Sequence, residues 1–167
     1  MALSANDVDE QLAQIGEKSP LLLRPGFLIR RLHQIHCALF LKETEGFNIT
    51  PVQYSVLTAL VDKGEQDQMT LAAEIGLERT SVADVLRRLE ERQLVERRRS
   101  EQDRRMRLAR VTPRGRQRIK RMAPAVQRAH ERTIEALPEA DRQMFVWYMS
   151  RLVQTNNELG TVPFKLG

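Results

Sequence analysis

The sequence has a single cysteine and no long apolar run, and each absence excludes a class of protein. Because Cys37 stands alone in 167 residues, an internal disulfide framework like that of small secreted domains is excluded. No apolar stretch approaches the roughly 18 residues that a helix needs to span a bilayer. The first residues, MALSANDVDEQ, are acidic, whereas a secretory signal is basic and then apolar. We therefore expect a soluble, cytoplasmic protein with no membrane among its partners.

The motifs of familiar enzyme classes are also missing. The sequence has no Ser/His/Asp or Cys/His arrangement at motif spacing, no glycine-rich phosphate loop, no HExxH and no paired CxxC. We therefore expect no catalytic residues, no cofactor and no enzymatic activity. With 41% hydrophobic residues, the chain is long enough for one domain with a real core, or for a small domain with helical arms.

Positive charge is concentrated in one segment of the chain. Residues 87–121 carry fourteen arginines and one lysine against five acidic residues, a net +10, whereas the remaining 132 residues sum to −5. A cationic surface of this kind most often meets the phosphates of nucleic acid. An acidic protein or a membrane surface is the alternative partner that charge alone leaves open.

Proline positions and apolar spacing predict a long first helix. Pro25 suits the first turn of a helix, and the apolar pattern continues to Gly46. The helix carries two apolar stripes, with Leu28, Leu32, Ile35 and Leu39 on one and Ile29, His33, His36 and Phe40 on the other. So broad an apolar surface indicates burial between subunits or domains.

The following segment has the spacing of a helix-turn-helix. Thr50 and Pro51 supply an N-cap and a first-turn proline for a second helix, and Thr70 is predicted to cap a short third one. Gly76 permits the positive φ of a tight helix exit, and the apolar residues after it are spaced to pack a further helix across the turn. That helix, from about Thr80, turns a polar face outward, comprising Thr80, Ser81, Asp84, Arg87 and Arg88.

A β-hairpin is predicted directly after this helix-turn-helix. The stretch RRRSEQDRRMRLARVTPRG, residues 97–115, contains eight arginines. Leu94-Val95 and residues 106–112 have strand character and flank an arginine-rich turn at 99–105. The apolar strand residues would anchor the hairpin while its tip presents guanidinium groups to a polyanion, which is the arrangement of a winged helix.

Two further helices are predicted after the hairpin. Pro113 opens one that runs to about Ala136 with a kink at Pro124, and Pro138 opens another that runs to Leu159. The last helix is too apolar to stand alone, since it carries Met144, Phe145, Trp147, Tyr148, Met149, Leu152 and Val153. Burial of these surfaces in a two-fold homodimer would present paired recognition helices and wings to a pseudo-palindromic DNA duplex.

These elements predict a mainly α fold with a small β-hairpin wing, an α+β arrangement. We expect an N-terminal extension at 1–24, a helical dimerisation region at 25–48 and 113–160, and a winged helix-turn-helix DNA-binding domain at 49–112. The main alternative is an architectural protein that binds nucleic acid without sequence preference.

Three motifs in this order give the chain its resemblance to a known family. They are Ile49-Thr50-Pro51-Val52-Gln53, the run LAAEIGLERTSVADVLRRLEERQLVERR from Leu71, and Asp103-Arg104-Arg105 followed by Val111-Thr112-Pro113-Arg114-Gly115. From residue 25 to about 158, the chain resembles the MarR family of bacterial transcription regulators. The segment TSVADVLRRLEER is most similar to members that control the breakdown of aromatic or heteroaromatic acids.

The resemblance implies a dimer that reads the major groove with the helix from Thr80 and the minor groove with the wing. Arg105 matches the wing-tip arginine of the family, and Asp103 would hold the wing loop in shape. The expected DNA contacts are Arg79, Thr80, Ser81, Asp84, Arg87, Arg88, Arg104 and Arg105. Ala83-Asp84 departs from the family pattern, so the bases read are expected to differ. Gln93 stands where the family usually has a glycine that ends this helix, so the exit of the helix is expected to differ as well.

Several of these residues have simpler interpretations. Asp84 could accept from a cytosine amino group, although a pairing with Arg88 one turn later is favoured. His33 and His36 suggest a metal site, but two further ligands are lacking, so no metal is expected. Cys37 lies in the middle of a helix, so a buried packing role is favoured over a redox-sensing one.

The resemblance also implies a small-molecule site between the dimerisation helices and the DNA-binding lobe. The residues with suitable chemistry there are His33, His36, Phe40, Gln53 and Tyr54, which could pair with a carboxylate or stack on a ring. Core packing is the equally weighted alternative for each of them. We expect a ligand-responsive regulator, a repressor released by a small aromatic carboxylic acid.

Overall fold

The computed structural model describes residues 5–101, 103 and 105–164, and it is mainly helical. Within these residues the helices are α1 (Ala5–Lys18), α2 (Pro25–Glu43), α3 (Pro51–Asp62), α4 (Gln68–Ile75), α5 (Arg79–Glu91), α6 (Pro113–Ile134) and α7 (Glu139–Thr155). The strands are β1 (Gln66–Asp67), β2 (Val95–Arg99) and β3 (Arg107–Val111). Short 3-10 helices at Pro20–Leu23 and Asn157–Leu159 flank the long helices.

Local capping fixes the start of α3 and the turn after α4. Thr50 and Gln53 form a reciprocal capping box, in which each side chain accepts a hydrogen bond from the other residue's backbone N–H. Gly76 ends α4 with φ +64°, the left-handed conformation that glycine adopts without strain. The N-cap role of Thr50 and the positive φ of Gly76 are as expected from the sequence, and Gly76 sets the turn from which α5 departs.

The core lies among α3, α4, α5 and the base of the hairpin. Its largest fully buried side chains include Leu57, Leu60, Leu71, Leu86 and Leu89. On α5, Val82, Leu86 and Leu89 supply the buried face, at the 4- and 3-residue spacing of a helix stripe. Burying one such side chain contributes about 1.5–3 kcal/mol, so this stripe orients α5 firmly on the domain.

The sheet is antiparallel and has the strand order β1-β3-β2. Val95 pairs with Val111 at the base of the hairpin, and Arg99 pairs with Arg107 near its tip. The base is buried and apolar, whereas both tip arginines are exposed. The hairpin therefore follows directly after a helix-turn-helix, and the prediction of a winged helix-turn-helix within a mainly α fold is confirmed.

Helix α6 connects the wing to the long helices. Thr112 caps it through a hydrogen bond from the Gly115 N–H, and Pro113 occupies its first turn. A side chain at Gly115 would clash with the Leu94 carbonyl oxygen, so the start of α6 sits tightly against the hairpin. The helix continues past Pro124 to Ile134 and packs along α2.

Large apolar side chains remain exposed on the outer helices. On α7 they include Trp147 and Leu152, of which 53% and 60% of the surface is accessible. On α2, Ile29 is 64% exposed, and α1 has an apolar row at Val8, Leu12 and Ile15. No helix in the described part of the chain is long and apolar enough to cross a membrane.

Two helix boundaries predicted from the sequence were wrong. Thr70 does not cap α4; Asp67 does, because its carboxylate accepts from the N–H groups of Met69 and Thr70. The last α-helix ends at Thr155, with only a 3-10 turn reaching Leu159. The N-terminal extension at 1–24 contains α1, a helix on which the sequence analysis made no prediction.

Candidate DNA-binding surface and ligand cavity

The polar face of α5 is exposed, as its amphipathic pattern predicts. Arg79, Thr80 and Ser81 lie in its first turn, and all three are exposed. Thr80 and Ser81 supply hydroxyl groups that can donate to or accept from base edges or phosphates. The side chains of the first turn of α5 are therefore accessible to a groove of DNA.

Asp84 pairs with Arg87 and not with Arg88, which corrects the predicted pairing. The Asp84 carboxylate lies 3.6 Å from the Arg87 guanidinium, which also donates to Glu91 at 2.8 Å. The hydrogen bond to Glu91 raises the pKa of Arg87 above its ordinary value. Two acidic side chains thus hold the Arg87 side chain along the helix. Arg88 is exposed, and it forms no ion pair with any residue that the structure describes.

Three arginines of the hairpin are bound by acids of the same chain. Arg97 pairs with Glu90 of α5, and Arg110 pairs with Glu96 on the neighbouring strand at 2.6 Å. Arg98 donates to both carboxylate oxygens of Glu65 at 2.8 Å, and this pairing lowers the pKa of Glu65. Arg97 and Arg98 hold the hairpin against the domain, Arg110 links its two strands, and the charge of all three is largely balanced.

The uncompensated charge of the hairpin lies at its tip. Arg99, Arg105 and Arg107 are exposed there, with no acidic partner among the described residues. The turn is held by Asp103, whose carboxylate accepts from the Arg105 N–H at 2.9 Å and whose carbonyl accepts from the Met106 N–H at 2.9 Å. Arg104, also predicted to contact DNA, lies outside the described residues. The tip therefore presents exposed guanidinium groups on a turn that its own hydrogen bonds stabilise.

A cavity of about 380 Å³ lies between the long helices and the helix-turn-helix. Helices α2 and α6 form one side through His36, Phe40 and His130, and α3 and α4 form the other. The remaining lining residues are Pro51, Tyr54, Ser55, Thr58, Ala59, Asp62, Lys63, Glu74 and Ile75. Helix α4 packs directly on α5. A molecule bound in this cavity therefore contacts the helix that supports the recognition helix α5.

The predicted ligand residues separate into three groups. His36, Phe40 and Tyr54 line the cavity, and the Phe40 and Tyr54 rings meet edge to face with centroids 5.9 Å apart. Gln53 does not line it, because its side chain is buried and caps α3. His33 lies on a separate groove. Sequence analysis missed His130, which no spacing rule connects to residues some ninety positions earlier.

His36 and His130 stack across the α2–α6 contact. Their ring centroids are 5.0 Å apart at an interplanar angle of 21°. His36 Nδ1 lies 2.9 Å from the Thr133 hydroxyl oxygen. Burial, followed by the nearby His130 and His33, holds the pKa of His36 below its ordinary value of 6.5. His36 is therefore uncharged near neutral pH.

Cys37 is partly buried, and its sulfur lies 3.6 Å from His33 Nε2. Cys37 was expected to be buried, but it is only partly buried, and its thiol contacts an imidazole. In the described part of the chain, no group of three or more His, Cys, Asp or Glu residues is arranged to hold a metal ion. Redox sensing by Cys37 remains the less favoured alternative.

A second, larger groove of about 970 Å³ is almost entirely apolar. Helix α2 contributes Leu28, Ile29 and Leu32, and α7 contributes Phe145 and Leu152. His33, His36 and His130 also line this groove, and since His36 and His130 line the smaller cavity as well, this pair lies between the two spaces. The groove joins the exposed apolar faces of α2 and α7 into one surface.

A winged helix-turn-helix with a cationic wing tip, and with a cavity between α4 and the long helices, is typical of DNA-binding regulators. Sequence comparison identifies the family. Residues 49–106 match the model of the MarR family. A putative transcriptional regulatory protein for the hcr operon of Thauera aromatica is 31% identical over 115 residues, covering 69% of this chain and 68% of that protein. The transcriptional repressor NicR of Pseudomonas putida is 24% identical over 135 residues, 81% of this chain and 85% of NicR. The chain belongs to the MarR family.

Solved structures of regulators are similar over most of the chain. PcaV of Streptomyces coelicolor, determined with its natural ligand, is 32% identical with a TM-score of 0.74, covering 80% of this chain and 94% of PcaV. BpsR of Bordetella bronchiseptica, whose DNA binding is regulated by 6-hydroxynicotinic acid, is 29% identical with a TM-score of 0.71, covering 76% and 96%. CouR, a repressor bound to a 23-mer DNA duplex, is 27% identical with a TM-score of 0.76, covering 81% and 96%.

Proposed function

We propose that this protein is a homodimeric, ligand-responsive repressor that binds a pseudo-palindromic operator in the cytoplasm and is released by a small aromatic carboxylic acid. The observation that carries the proposal is the separation of charge in the wing. Arginines near the base are balanced by Glu65, Glu90 and Glu96, whereas Arg99, Arg105 and Arg107 at the tip are free to meet phosphates or a minor groove.

Recognition is divided between α5 and the wing. Residues 79–81 and Arg88 would contact the major groove from the exposed face of α5, where helix side chains read base edges. Arg105, with Arg104 beside it in sequence, would enter the minor groove, where a narrow AT-rich stretch concentrates negative potential. Asp103 would act on DNA only indirectly, by holding the turn that carries Arg105.

The role of Arg105 is tested by comparing Arg105→Ala with Arg110→Ala. Both changes remove one positive charge from the same hairpin, but Arg110 is paired with Glu96 whereas Arg105 lies at the tip. We expect Arg105→Ala to weaken operator binding more than tenfold at fixed salt, a loss of about 1.4 kcal/mol or more. Arg110→Ala should change affinity several-fold less, and fluorescence anisotropy with a labelled duplex measures both.

Equal losses in the two variants would show that net charge alone governs binding, and unchanged affinity in Arg105→Ala would refute the wing assignment. Titration against excess unrelated duplex separates a regulator from an architectural protein. A regulator keeps its operator under that competition, because specific sites bind about 10³–10⁷-fold more tightly than nonspecific ones.

The dimer proposal depends on the surface shared by α2 and α7. The apolar groove between them and the exposed side chains of α7 would be costly to leave in water. A second copy of the chain covers them by two-fold symmetry, with residues 25–48 and 113–160 forming the dimerisation region. Dimerisation would also set the spacing of two α5 helices at about one turn of B-DNA.

The ligand proposal depends on the smaller cavity. Its aromatic side chains and imidazoles suit a ring that bears an acid group, and BpsR and PcaV provide relatives with small-molecule effectors. A ligand that binds more tightly to a dimer with misplaced recognition helices would lower DNA affinity by linkage, typically by about 1–3 kcal/mol. A thermal-shift screen of aromatic acids, followed by operator release, tests this, and failure of every acid would remove the effector from the proposal.

A further inference from the structure

The three histidines of the chain lie together. His33 and His36 come from successive turns of α2, and His130 reaches them from α6. His36 and His130 stack at 5.0 Å and line both the small cavity and the apolar groove. Histidine is the side chain whose ordinary pKa falls near physiological pH, so this cluster can change its charge there.

Hydrogen bonding around Thr133 fixes which nitrogen of neutral His36 carries the proton. The Thr133 hydroxyl donates its single hydrogen to the Ala129 carbonyl at 2.7 Å. Toward His36 it can therefore only accept, so His36 Nδ1, 2.9 Å away, is the donor. The remaining nitrogen, Nε2, then carries a lone pair. A lone pair does not attract a carboxylate, and only protonation of Nε2 makes it a donor to one.

Other charges around the cavity do not supply the missing positive charge. Burial and the two neighbouring imidazoles oppose protonation of His36 in the free protein. The other titratable groups that line the cavity from α3, α4 and the loop after α3 are Tyr54, Asp62, Lys63 and Glu74. They comprise one lysine against two carboxyl groups, so an anion entering the cavity meets no excess of positive charge apart from what the histidines acquire.

We infer that an aromatic carboxylate entering the small cavity draws one proton from solvent onto the His36–His130 pair, so that effector binding and proton uptake are coupled. The ligand enters as an anion, the proton comes from water or buffer, and the product is an imidazolium–carboxylate ion pair. The inference rests on the proposed function, because it assigns the effector to this cavity. It adds that acidification favours the ligand-bound form of the regulator.

The direction of the pH dependence follows from linkage. Protonation is opposed in the free protein and favoured in the complex, so the complex binds more protons than its separate components. Ligand affinity should therefore fall as pH rises between the pKa of the free pair and that of the bound pair, at up to about tenfold per pH unit. Below the free pKa, the affinity should level off.

Calorimetry on the full-length protein measures the coupling directly. Benzoate and 6-hydroxynicotinate are titrated near pH 7 in phosphate, MOPS and Tris buffers, whose ionisation enthalpies differ. The slope of the binding enthalpy against the buffer enthalpy gives the number of protons taken up. We expect an uptake that approaches one proton for the wild type, nearly none for His36→Gln, and an intermediate value for His130→Gln.

His33→Gln is the matched control, since His33 lies outside the small cavity. It should preserve most of the uptake. The wild-type measurement needs no variant, so a variant that fails to fold leaves the test intact. An NMR titration of the histidine Cε1–H signals provides a second readout, in which the His36 signal should titrate below 6.5 without ligand and at higher pH with it.

The possible failures are distinguishable. If the acids bind the wild type with no buffer dependence of the enthalpy, proton coupling is refuted while the effector proposal stands. If no acid binds and none releases the operator, both the effector role and the inference fail. If uptake persists in His36→Gln and is lost in His33→Gln, the assignment to the stacked pair is wrong.

Discussion

Gln93 has a backbone conformation that usually belongs to glycine. It follows the end of α5 with φ +58°, in the left-handed region. Its carbonyl accepts from the Thr112 hydroxyl at 2.8 Å, and its side-chain oxygen accepts from Arg114 at 3.0 Å. The chain therefore leaves α5 through a left-handed residue although glutamine replaces the family's glycine. Contacts of Gln93 to Thr112 and Arg114, at the start of α6, offset the strain.

Replacing Gln93 by glycine should stabilise the fold. Glycine adopts the left-handed conformation without the strain of about 1–2 kcal/mol that glutamine has there. The greater entropy of the unfolded glycine variant and the loss of the Arg114 contact reduce this gain, so the free energy of unfolding should rise by about 0.5–1 kcal/mol. Gln93→Ala is the matched control, because it loses the same contact but keeps the strain. Urea unfolding compares them, and a lower midpoint for the glycine variant than for wild type would contradict the strain argument.

Residue partners were predictable from sequence only where the geometry left one choice. The N-cap role of Thr50 is such a case, but its capping-box partner Gln53 was placed in the ligand site, because burial cannot be read from the sequence. Asp84 has arginines three and four positions later, and the rotamers of a helix select Arg87. His130 could not have been found, since its partners depend on how α6 packs against α2.

At the scale of elements, two arginines fasten the loop between α2 and α3. Arg92, at the end of α5, donates to the carbonyl oxygens of Asn48 and Phe47, the latter at 3.1 Å. Arg118 of α6 donates to the same Phe47 carbonyl and lies 5.3 Å from the centroid of the Phe47 ring. Burial, together with the nearby Arg118 and Arg114, lowers the pKa of Arg92. The loop thus ties the recognition helix to both long helices.

Loss of this connection should destabilise the protein. We expect Arg92→Ala to lower the free energy of unfolding by about 1.5–3 kcal/mol, because it removes charged hydrogen bonds to two carbonyl groups. Arg116→Ala removes an exposed positive charge from α6 and should stay within about 0.5 kcal/mol of wild type. Thermal and urea unfolding measure both variants. Equal stability in the two would mean that the loop holds its position without Arg92.

Element boundaries were predictable where the signal is local. Proline and glycine positions located α2, α3, α6 and the turn at Gly76, because proline fixes φ near its helical value and glycine permits the positive φ of a helix exit. The start of α4 was misplaced because Asp67 is positioned by the pairing of β1 with Ala109 and Leu108 of β3, and a two-residue strand has no periodicity to detect. Helix α1 had a usable signal, the spacing of Val8, Leu12 and Ile15, that was not used.

At the scale of the whole molecule, the apolar pattern of the sequence predicted that the outer helices are buried against a partner. The structure shows where the exposed apolar surface of these helices lies. The exposed side chains of α7 and the groove along α2 form one apolar region on the side of the long helices. The cationic tip and the face of α5 belong to the winged helix-turn-helix. Association through one region while DNA binds the other is the arrangement on which palindrome recognition depends.

The stoichiometry of the DNA complex tests this account most directly. Sedimentation or native mass spectrometry on the protein with an operator duplex, obtained by selection from random DNA, should give two chains per duplex and a dimer without DNA at micromolar concentration. Leu152→Glu, which places a charge on the exposed apolar face of α7, should give a folded monomer that has lost most operator affinity. A wild-type chain that stays monomeric at micromolar concentration, or that binds its duplex as a single copy, would contradict the account.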